Sequence, residues 1–213
     1  MKVLVVSDAV SPVVYEEKAH KRFAEVEMVF SCGDLPYDYL EFIVTALNVP
    51  LLYVHGNHDR PLMTDGSDLA APRGCVNVHR RVVGAKGLLV GGLEGSPRYR
   101  PGARFQYTDR EVRHNMLRMT PSLLANKILR GRALDVLLTH APPRGIHDHS
   151  DHAHQGFPSL LGFLKRFKPR YLIHGHTYPH RGSTSHSTYL DTQIIQVQGH
   201  AVVELELWDS VED

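Results

Sequence analysis

Five short apolar runs, spread over most of the sequence, each lead to a residue that can bind a cation. Their length is typical of buried strands. In chain order they occupy residues 2–6, 26–30, 49–54, 136–138 and 171–173. The ligand-type residues that follow them are, in the same order, Asp8, Asp34, Asn57, His140 and His176. Helical segments between the first three runs predict a parallel sheet. Because the carboxyl ends of parallel strands lie at one edge of a sheet, we expect these five side chains to lie close together.

The chemistry of these side chains predicts a metal centre. Two carboxylates, one amide oxygen and two imidazoles are suitable ligands for a borderline divalent cation such as manganese, iron or zinc. The densest group follows the run 49–54. There Gly56 lets the backbone turn without a Cβ penalty, and Asn57, His58 and Asp59 supply an amide, an imidazole and a carboxylate in consecutive positions.

Taken in order, these motifs resemble the pattern of the calcineurin-like metallophosphoesterase superfamily, which is D-x-H, G-D, G-N-H-D, H and G-H-x-H. The resemblance covers residues 8–178. It implies an α/β fold, the four-layer α/β/β/α sandwich of this superfamily. At this length we expect a single metallophosphoesterase domain over residues 1–213 with no cap domain of its own.

The resemblance also implies a role for each metal ligand. Asp34 would bridge two divalent metal ions. Asn57, His140 and His176 would complete the site of one ion, and Asp8 would bind the other. The expected cofactors are therefore divalent ions of manganese, iron or zinc, with one site complete in this sequence and the second site uncertain.

That uncertainty comes from two departures from the superfamily pattern. Val10 and Tyr178 stand where D-x-H and G-H-x-H have their last histidine, and both imidazoles would belong to the ion that Asp8 binds. Three residues are candidate substitute ligands: Tyr178 through its phenol, His180, and His154 in a loop that resembles a stretch of small bacterial superfamily members. The alternatives are that Tyr178 packs at the rim of the site and that His154 contacts the substrate.

The resemblance assigns the catalytic step to His58 and Asp59. His58 would be the general acid that protonates the leaving group, and Asp59 would hold the far nitrogen of its ring. The sequence therefore predicts a metal-dependent phosphoesterase that acts through a metal-activated water. A phosphodiester is the favoured substrate, because an open site without a cap domain can admit groups on both sides of the phosphate, and a phosphatase that hydrolyses a monoester is the other possibility. The alternative is a metal- or nucleotide-binding module of the same fold, with a degenerate first metal site and little turnover.

A loop at residues 94–107 mixes arginine with tyrosine after another predicted strand. Arg98, Arg100 and Arg104 have the guanidinium geometry that binds phosphate oxygens, and we take Arg98 and Arg104 as candidate substrate-binding residues. The alternative is a solvated loop whose arginines serve solubility.

The composition limits the partners of the chain. Lys and Arg number 24 against 23 acidic residues, so no large net field attracts long nucleic acid or an anionic membrane. No apolar run approaches the ~18 residues of a membrane span, and we expect a cytoplasmic protein that acts on a small phosphate ester, with nucleotides among the candidates. The sequence does not indicate an oligomeric state.

Between the motifs, the periodicity predicts several further elements. Helices are expected at residues 37–47, 110–119 and 122–129, with Pro121 starting the last of them. Residues 76–83 are expected to form one strand, and residues 192–197 and 201–208 are expected to pair with each other around Gly199.

Overall fold

The computed structural model describes residues 1–59, 71–178 and 184–207. Within these residues the strands, in chain order, are β1 (Lys2–Ser7), β2 (Met28–Ser31), β3 (Leu51–Tyr53), β4 (Cys75–Asn77), β5 (Val82–Ala85), β6 (Leu88–Leu93), β7 (Ser96–Pro97), β8 (Gln106–Tyr107), β9 (Val136–Thr139), β10 (Tyr171–His174), β11 (Thr184–Tyr189), β12 (Thr192–Val197) and β13 (Gly199–Glu204). The helices are α1 (Ala19–Arg22), α2 (Tyr37–Leu47), α3 (Asp109–Arg130) and α4 (Pro158–Phe167).

The strands form two large sheets rather than one. The first has the order β13-β1-β2-β3-β4, in which β1 to β4 are parallel and β13 is antiparallel to β1. The second has the order β11-β12-β10-β9-β6-β5, with β12, β10, β9 and β6 parallel and an antiparallel strand at each edge. The short strands β7 and β8 pair only with each other.

Three apolar clusters hold the layers together. In β1, Val3 and Val5 face the cluster between the two sheets, whereas Leu4 and Val6 face the cluster that includes residues of α1 and α2. A third cluster packs α3 and α4 against the outer face of the second sheet. Strands buried on both faces explain why the sequence shows continuous apolar runs rather than alternation. The four-layer α/β/β/α sandwich is therefore confirmed.

Helix α2 is observed at the predicted residues, but the two helices predicted around Pro121 are one continuous helix, α3. Thr108 begins α3 with a capping box to Glu111. Met119 and Leu123 are buried on either side of Pro121, whose own side chain is exposed. Packing on both sides of the proline therefore holds the helix together. The carbonyl that lacks its usual donor belongs to Leu117, a residue that is 64% exposed.

Two strand predictions were wrong because the chain crosses between the sheets. Residues 76–83 are split between β4, which pairs with β3 in the first sheet, and β5, which pairs with β6 in the second. Strands β12 and β13 do not pair with each other: β12 lies between β10 and β11, and β13 pairs with β1. Gly199, at φ 74°, allows the chain to turn from one sheet to the other. Trp208, at the end of the predicted strand, lies outside the described residues.

This topology brings two sheet edges together at the predicted site. Asp8, Asp34 and Asn57 follow strands of the first sheet, and His140 and His176 follow neighbouring strands of the second. The ligands therefore come from both sheets of the sandwich. Among the described residues, no helix is both long enough and apolar enough to cross a membrane.

Candidate metal centre

Four of the five predicted ligands meet at one point between the sheets. Ligand atoms of Asp8, Asp34 and His140 all lie within 4.8 Å of one another. Nε2 of His140 is 3.4 Å from Oδ2 of Asp34 and 3.0 Å from Oδ1 of Asn57. Two carboxylates, an amide oxygen and an imidazole nitrogen thus converge on a space that one cation could fill.

His140 is held in the orientation of a metal ligand. Its fully buried ring donates from Nδ1 to the backbone carbonyl of Cys32 at 2.7 Å, which leaves Nε2 facing Asp34 and Asn57. A metal-binding histidine is commonly held in this way by a carbonyl on its other nitrogen. Burial acts to lower the pKa of His140, but the carboxylates of Asp34 and Asp8 outweigh burial and raise the pKa to about 9. The two carboxylates therefore favour a positive charge at this position.

Asp34 shows the reciprocal effect. Burial acts to raise its pKa, but the His140 imidazolium and the backbone amide of His58 outweigh burial and lower the pKa to about 2. A carboxylate that stays ionised and faces both Asp8 and His140 is suited to contact a cation. The residues present therefore fit a divalent metal ion.

His176, the fifth ligand, packs beside this group. Its ring centroid is 4.7 Å from that of His140, and its Nε2 donates to the carbonyl of Ala153 at 2.8 Å, so Nδ1 is the nitrogen left for a metal. Burial, together with the nearby charge of His140, lowers the pKa of His176 to about 3. The imidazole is therefore neutral, which is the form that binds metals.

The backbone at the site is held in conformations that most residues avoid. Asp8, Asp34 and His176 have φ of 63°, 58° and 68°, in the left-handed region. Strained backbone of this kind is common at functional sites, where it aims a side chain. Gly56 and Gly175 are required beside them. A Cβ on Gly56 would overlap the Asp34 carboxylate, and one on Gly175 would overlap the Ser7 hydroxyl and the Asp8 carboxylate that it bonds.

Comparison with known proteins identifies the family. A family model described as calcineurin-like phosphoesterase matches residues 1–180. The chain belongs to the calcineurin-like phosphoesterases. Proteins of this family bind divalent metal ions, and membership supports the assignment of the chain as a metal-dependent hydrolase of phosphate esters.

Comparison with solved structures finds a similar fold in TT1561. TT1561 of Thermus thermophilus superposes with a TM-score of 0.62 at 17% identity, over 93% of this chain and 89% of that one. A Vps29 single mutant from Entamoeba histolytica matches with a TM-score of 0.43 at 13% identity, over 92% of this chain and 73% of that one. No match was found among curated proteins.

The Asp8 side of this phosphoesterase site departs from the superfamily pattern, as the sequence predicts. Oδ2 of Asp8 accepts from the Ser7 hydroxyl at 2.5 Å and from the backbone amide of His176 at 2.9 Å. Burial raises the pKa of Asp8, and the His140 charge opposes this. Val10 is 40% exposed. A cleft of about 510 Å³, here called the metal cleft, opens at Asp8 and also includes Asp34, Asn57 and His176.

Two of the three candidate substitute ligands line the metal cleft. Tyr178 lines the metal cleft, but 62% of it is exposed to solvent. His154 lines the same cleft, its ring centroid is 5.2 Å from that of His176, and its Nδ1 is 2.8 Å from Oδ1 of Asp151. His180 lies outside the described residues. The structure therefore brings His154 and Tyr178 to the cleft, and their ligation stays a prediction.

His58 lies where a second cleft meets the metal cleft. The second cleft, here called the side cleft, has a volume of about 490 Å³ and shares Asp34 and His58 with the metal cleft. The backbone amide of His58 donates to Oδ1 of Asp34 at 2.7 Å, while its side chain is exposed. This position suits a group that transfers a proton to a substrate bound beside the metal ligands.

Asp59 does not hold the ring of His58 as expected. Its Oδ1 accepts from the backbone amide of Leu35 at 3.0 Å, and its Oδ2 accepts from that of Gly56 at 2.8 Å. Within the described part of the chain, neither oxygen bonds to His58. Asp59 instead joins the loop after β2 to the loop after β3. Burial raises the pKa of Asp59 to about 6 despite the amide bond from Gly56.

The candidate substrate-binding arginines lie in the loop at residues 94–107. Arg98 donates to both carboxylate oxygens of Glu111 at 2.9 Å and to the carbonyl of Gln106, so it ties its loop to the start of α3. Arg104 is exposed on the same loop. Neither arginine is among the described residues that line the metal cleft or the side cleft. Their role in binding substrate phosphate therefore stays a prediction.

Two polar side chains that line the metal cleft were not predicted from the sequence. The hydroxyl of Tyr99 accepts from Nδ2 of Asn57 at 3.1 Å, and Gln198 lines the cleft with Asp8 from the turn between β12 and β13. Tyr99 carries a weak sequence signal, because it lies in the loop already singled out for its arginines. Gln198 carries none, since its position depends on β13 crossing to the first sheet.

Proposed function

We propose that the chain is a metal-dependent phosphodiesterase in which His58 is the general acid. The observation that carries this proposal is that His58 lines both the metal cleft and the side cleft, next to Asp34 of the candidate cation pocket. A pocket that only binds a metal does not need a proton donor at this position. The proposed substrate is a small phosphate ester, with nucleotides among the candidates.

The chain's own residues supply the metal sites. Asp34, Asn57, His140 and His176 would hold one divalent ion, manganese, iron or zinc. Asp8 would hold a second, with Asp34 shared between the two. Divalent ions held there would neutralise charge on phosphoryl oxygens and polarise a water molecule.

The two clefts support a diester. A phosphodiester carries two organic substituents on its phosphorus, and the metal cleft and the side cleft are two spaces that both include Asp34 and His58. Leu35, Pro36 and Tyr37 line the side cleft, so it suits the organic part of a leaving group. His58 at the boundary would then face the oxygen that departs.

The experiment compares two esters after reloading the protein with Mn²⁺. Activity on bis-p-nitrophenyl phosphate above that on p-nitrophenyl phosphate is expected for a diesterase, and the reverse order would indicate a phosphatase. Metal bound with turnover of neither ester would favour the second candidate, a binding module of this fold. That candidate is motivated by Val10 and by the exposure of Tyr178.

The role of His58 is tested by His58→Ala. We expect kcat/KM to fall by ~10²–10⁴-fold on an alkyl diester, whose leaving group needs a proton, and by less on a p-nitrophenyl diester. His186→Ala, which removes an exposed histidine from β11, is the matched control and should leave both rates unchanged. Equal losses on both esters would contradict the acid role. The cytoplasmic location, the exclusion of long nucleic acid and the single-domain organisation stay predictions.

A further inference from the structure

The amide of Asn57 is held at both of its ends. Its Nδ2 donates to the hydroxyl of Tyr99 at 3.1 Å, and its Oδ1 lies 3.0 Å from Nε2 of His140. Tyr99 comes from the segment between β6 and α3, here called the 94–107 loop, and lines the metal cleft.

The two ends of an amide are not equivalent for a cation, because only the oxygen has lone pairs to offer. Rotation of the Asn57 side chain by half a turn would direct its NH₂ group at the metal ligands, with the Asp34 carboxylate nearby as a strong acceptor. The Tyr99 hydroxyl gives the NH₂ group a partner on the other side. We propose that Tyr99 is a positioning residue that holds the amide oxygen of Asn57 toward the cation, and that the 94–107 loop is built to present it.

The backbone around Tyr99 is fixed from within the loop. Oε1 of the buried Gln106 accepts from the backbone amides of Tyr99 at 3.2 Å and of Arg100 at 3.0 Å. The guanidinium of Arg98 donates hydrogen bonds to the Gln106 carbonyl and to the Glu111 carboxylate. A tyrosine on a loop held in this way has little freedom to move its hydroxyl away from Asn57.

The ends of the loop are tied to the chain just before Asn57. The amide of Gly95 donates to the carbonyl of His55 at 2.8 Å, and the ring of Phe105 stacks on the ring of His55 with centroids 4.4 Å apart. Nδ1 of His55 lies 2.9 Å from Oε2 of Glu94, a carboxylate buried to 8% exposure. The other oxygen of Glu94, Oε1, accepts from the Tyr107 hydroxyl at 2.5 Å and lies 3.3 Å from Nε2 of His79. Because burying a charge is costly, these partners compensate for the burial of Glu94 and fix the loop relative to His55.

The inference rests on the proposed function in one respect, since Asn57 must be a metal ligand. The first measurement is therefore the affinity of the metal-free protein for Mn²⁺, by calorimetric titration of the wild type, Asn57→Ala and Tyr99→Phe. Loss of a partner that orients a ligand typically weakens metal binding ~10–100-fold, and we expect this for Tyr99→Phe. Tyr189→Phe, at the end of β11 and outside both clefts, is the matched control and should bind as the wild type does.

The second measurement separates positioning from a general effect on the fold. In Asn57→Asp, both ends of the side chain are oxygens, so no orientation has to be selected. Adding Tyr99→Phe to this variant should cause no further loss of Mn²⁺ affinity. An equal loss in both backgrounds, or unchanged affinity in Tyr99→Phe alone, would overturn the inference. If Asn57→Ala binds Mn²⁺ as the wild type does, the proposed metal site itself is wrong and the inference is overturned with it.

Discussion

Asp59→Asn tests whether Asp59 holds two loops together or orients the proposed acid. Its two oxygens accept one backbone amide each, from Leu35 and Gly56. Asparagine has nearly the same shape but keeps only one acceptor oxygen, so its NH₂ group faces one of these amides. The change therefore removes one hydrogen bond and places the NH₂ group of the new side chain against a backbone N–H. It does not alter His58.

The expected magnitude follows from that lost bond. Leaving a buried amide without an acceptor costs ~1–3 kcal/mol in the free energy of unfolding. That cost refers to the ionised carboxylate. A separate dependence on pH is added to it, because burial raises the pKa of Asp59 from 3.8 to about 6 in the folded protein whereas asparagine does not titrate. For a carboxyl group whose folded pKa is raised, the stabilising contribution is complete below the unfolded value and is lost as pH rises through the folded one. The difference between wild type and variant should therefore be largest near pH 4, and should shrink as pH rises through 6.

Two assays together decide the role of Asp59. Urea unfolding from pH 4 to 8 measures the stability difference, with Asp191→Asn as the control because its ion pair with Lys168 is about 65% exposed and contributes little. The ratio of kcat/KM on alkyl and p-nitrophenyl diesters measures the acid function, and Asp59→Asn should lower both rates by the same factor. Unchanged stability with a selective loss on the alkyl ester would show that Asp59 orients His58 after all.

Three further predictions test the metal centre and its surroundings. Mn²⁺ affinity should rise with pH up to about 9, because the pKa of His140 is raised and its proton must leave before Nε2 can bind the metal. Calorimetric titration in buffers of different ionisation enthalpy measures the released proton. Gly175→Ala should reduce metal content by displacing the Asp8 carboxylate, measured by elemental analysis, whereas Gly162→Ala, whose Cβ meets nothing within 4 Å, should not. Arg98→Ala should leave KM unchanged and lower the free energy of unfolding by ~0–1 kcal/mol in thermal denaturation, because the partly exposed contacts of Arg98 anchor a loop. A large increase in KM would instead show that Arg98 binds substrate.

The convergence of the candidate ligands could be predicted because each follows a strand directly. The position of a side chain just after a parallel strand can be predicted from the strand alone. Asp8, Asp34, Asn57 and His140 could therefore be expected to meet. The fold class followed from the same alternation of strands and helices together with the family resemblance. That the ligands come from two sheets rather than one could not be read from the apolar runs, because β2 and β9 look alike in sequence.

The features that were missed depend on contacts between distant loops. The partners of Asp59 are the amides of Leu35 and Gly56, and nothing in the sequence near Asp59 shows that the loop after β2 approaches it. The contact of Tyr99 with Asn57 joins residues 42 positions apart. Similarly, Pro121 is a strong local signal for a helix start, but burial of Met119 and Leu123 on both sides of it overrides that signal.

The partners of the candidate metal-binding imidazoles indicate that the centre and its loops fold as one unit. His140 is held by the carbonyl of Cys32, two residues before Asp34, and His176 is held by the carbonyl of Ala153, next to His154. Each imidazole is thus oriented by the backbone of a loop that carries another residue of the cleft. A loop that moves would release its own side chain and also the histidine that it holds. Metal binding should therefore stabilise these loops together, by ~2.7 kcal/mol at a free metal concentration 100 times the Kd. Hydrogen exchange should then show amides near Asp34 and His154 becoming protected in parallel as Mn²⁺ is added, and protection of one loop alone would contradict this coupling.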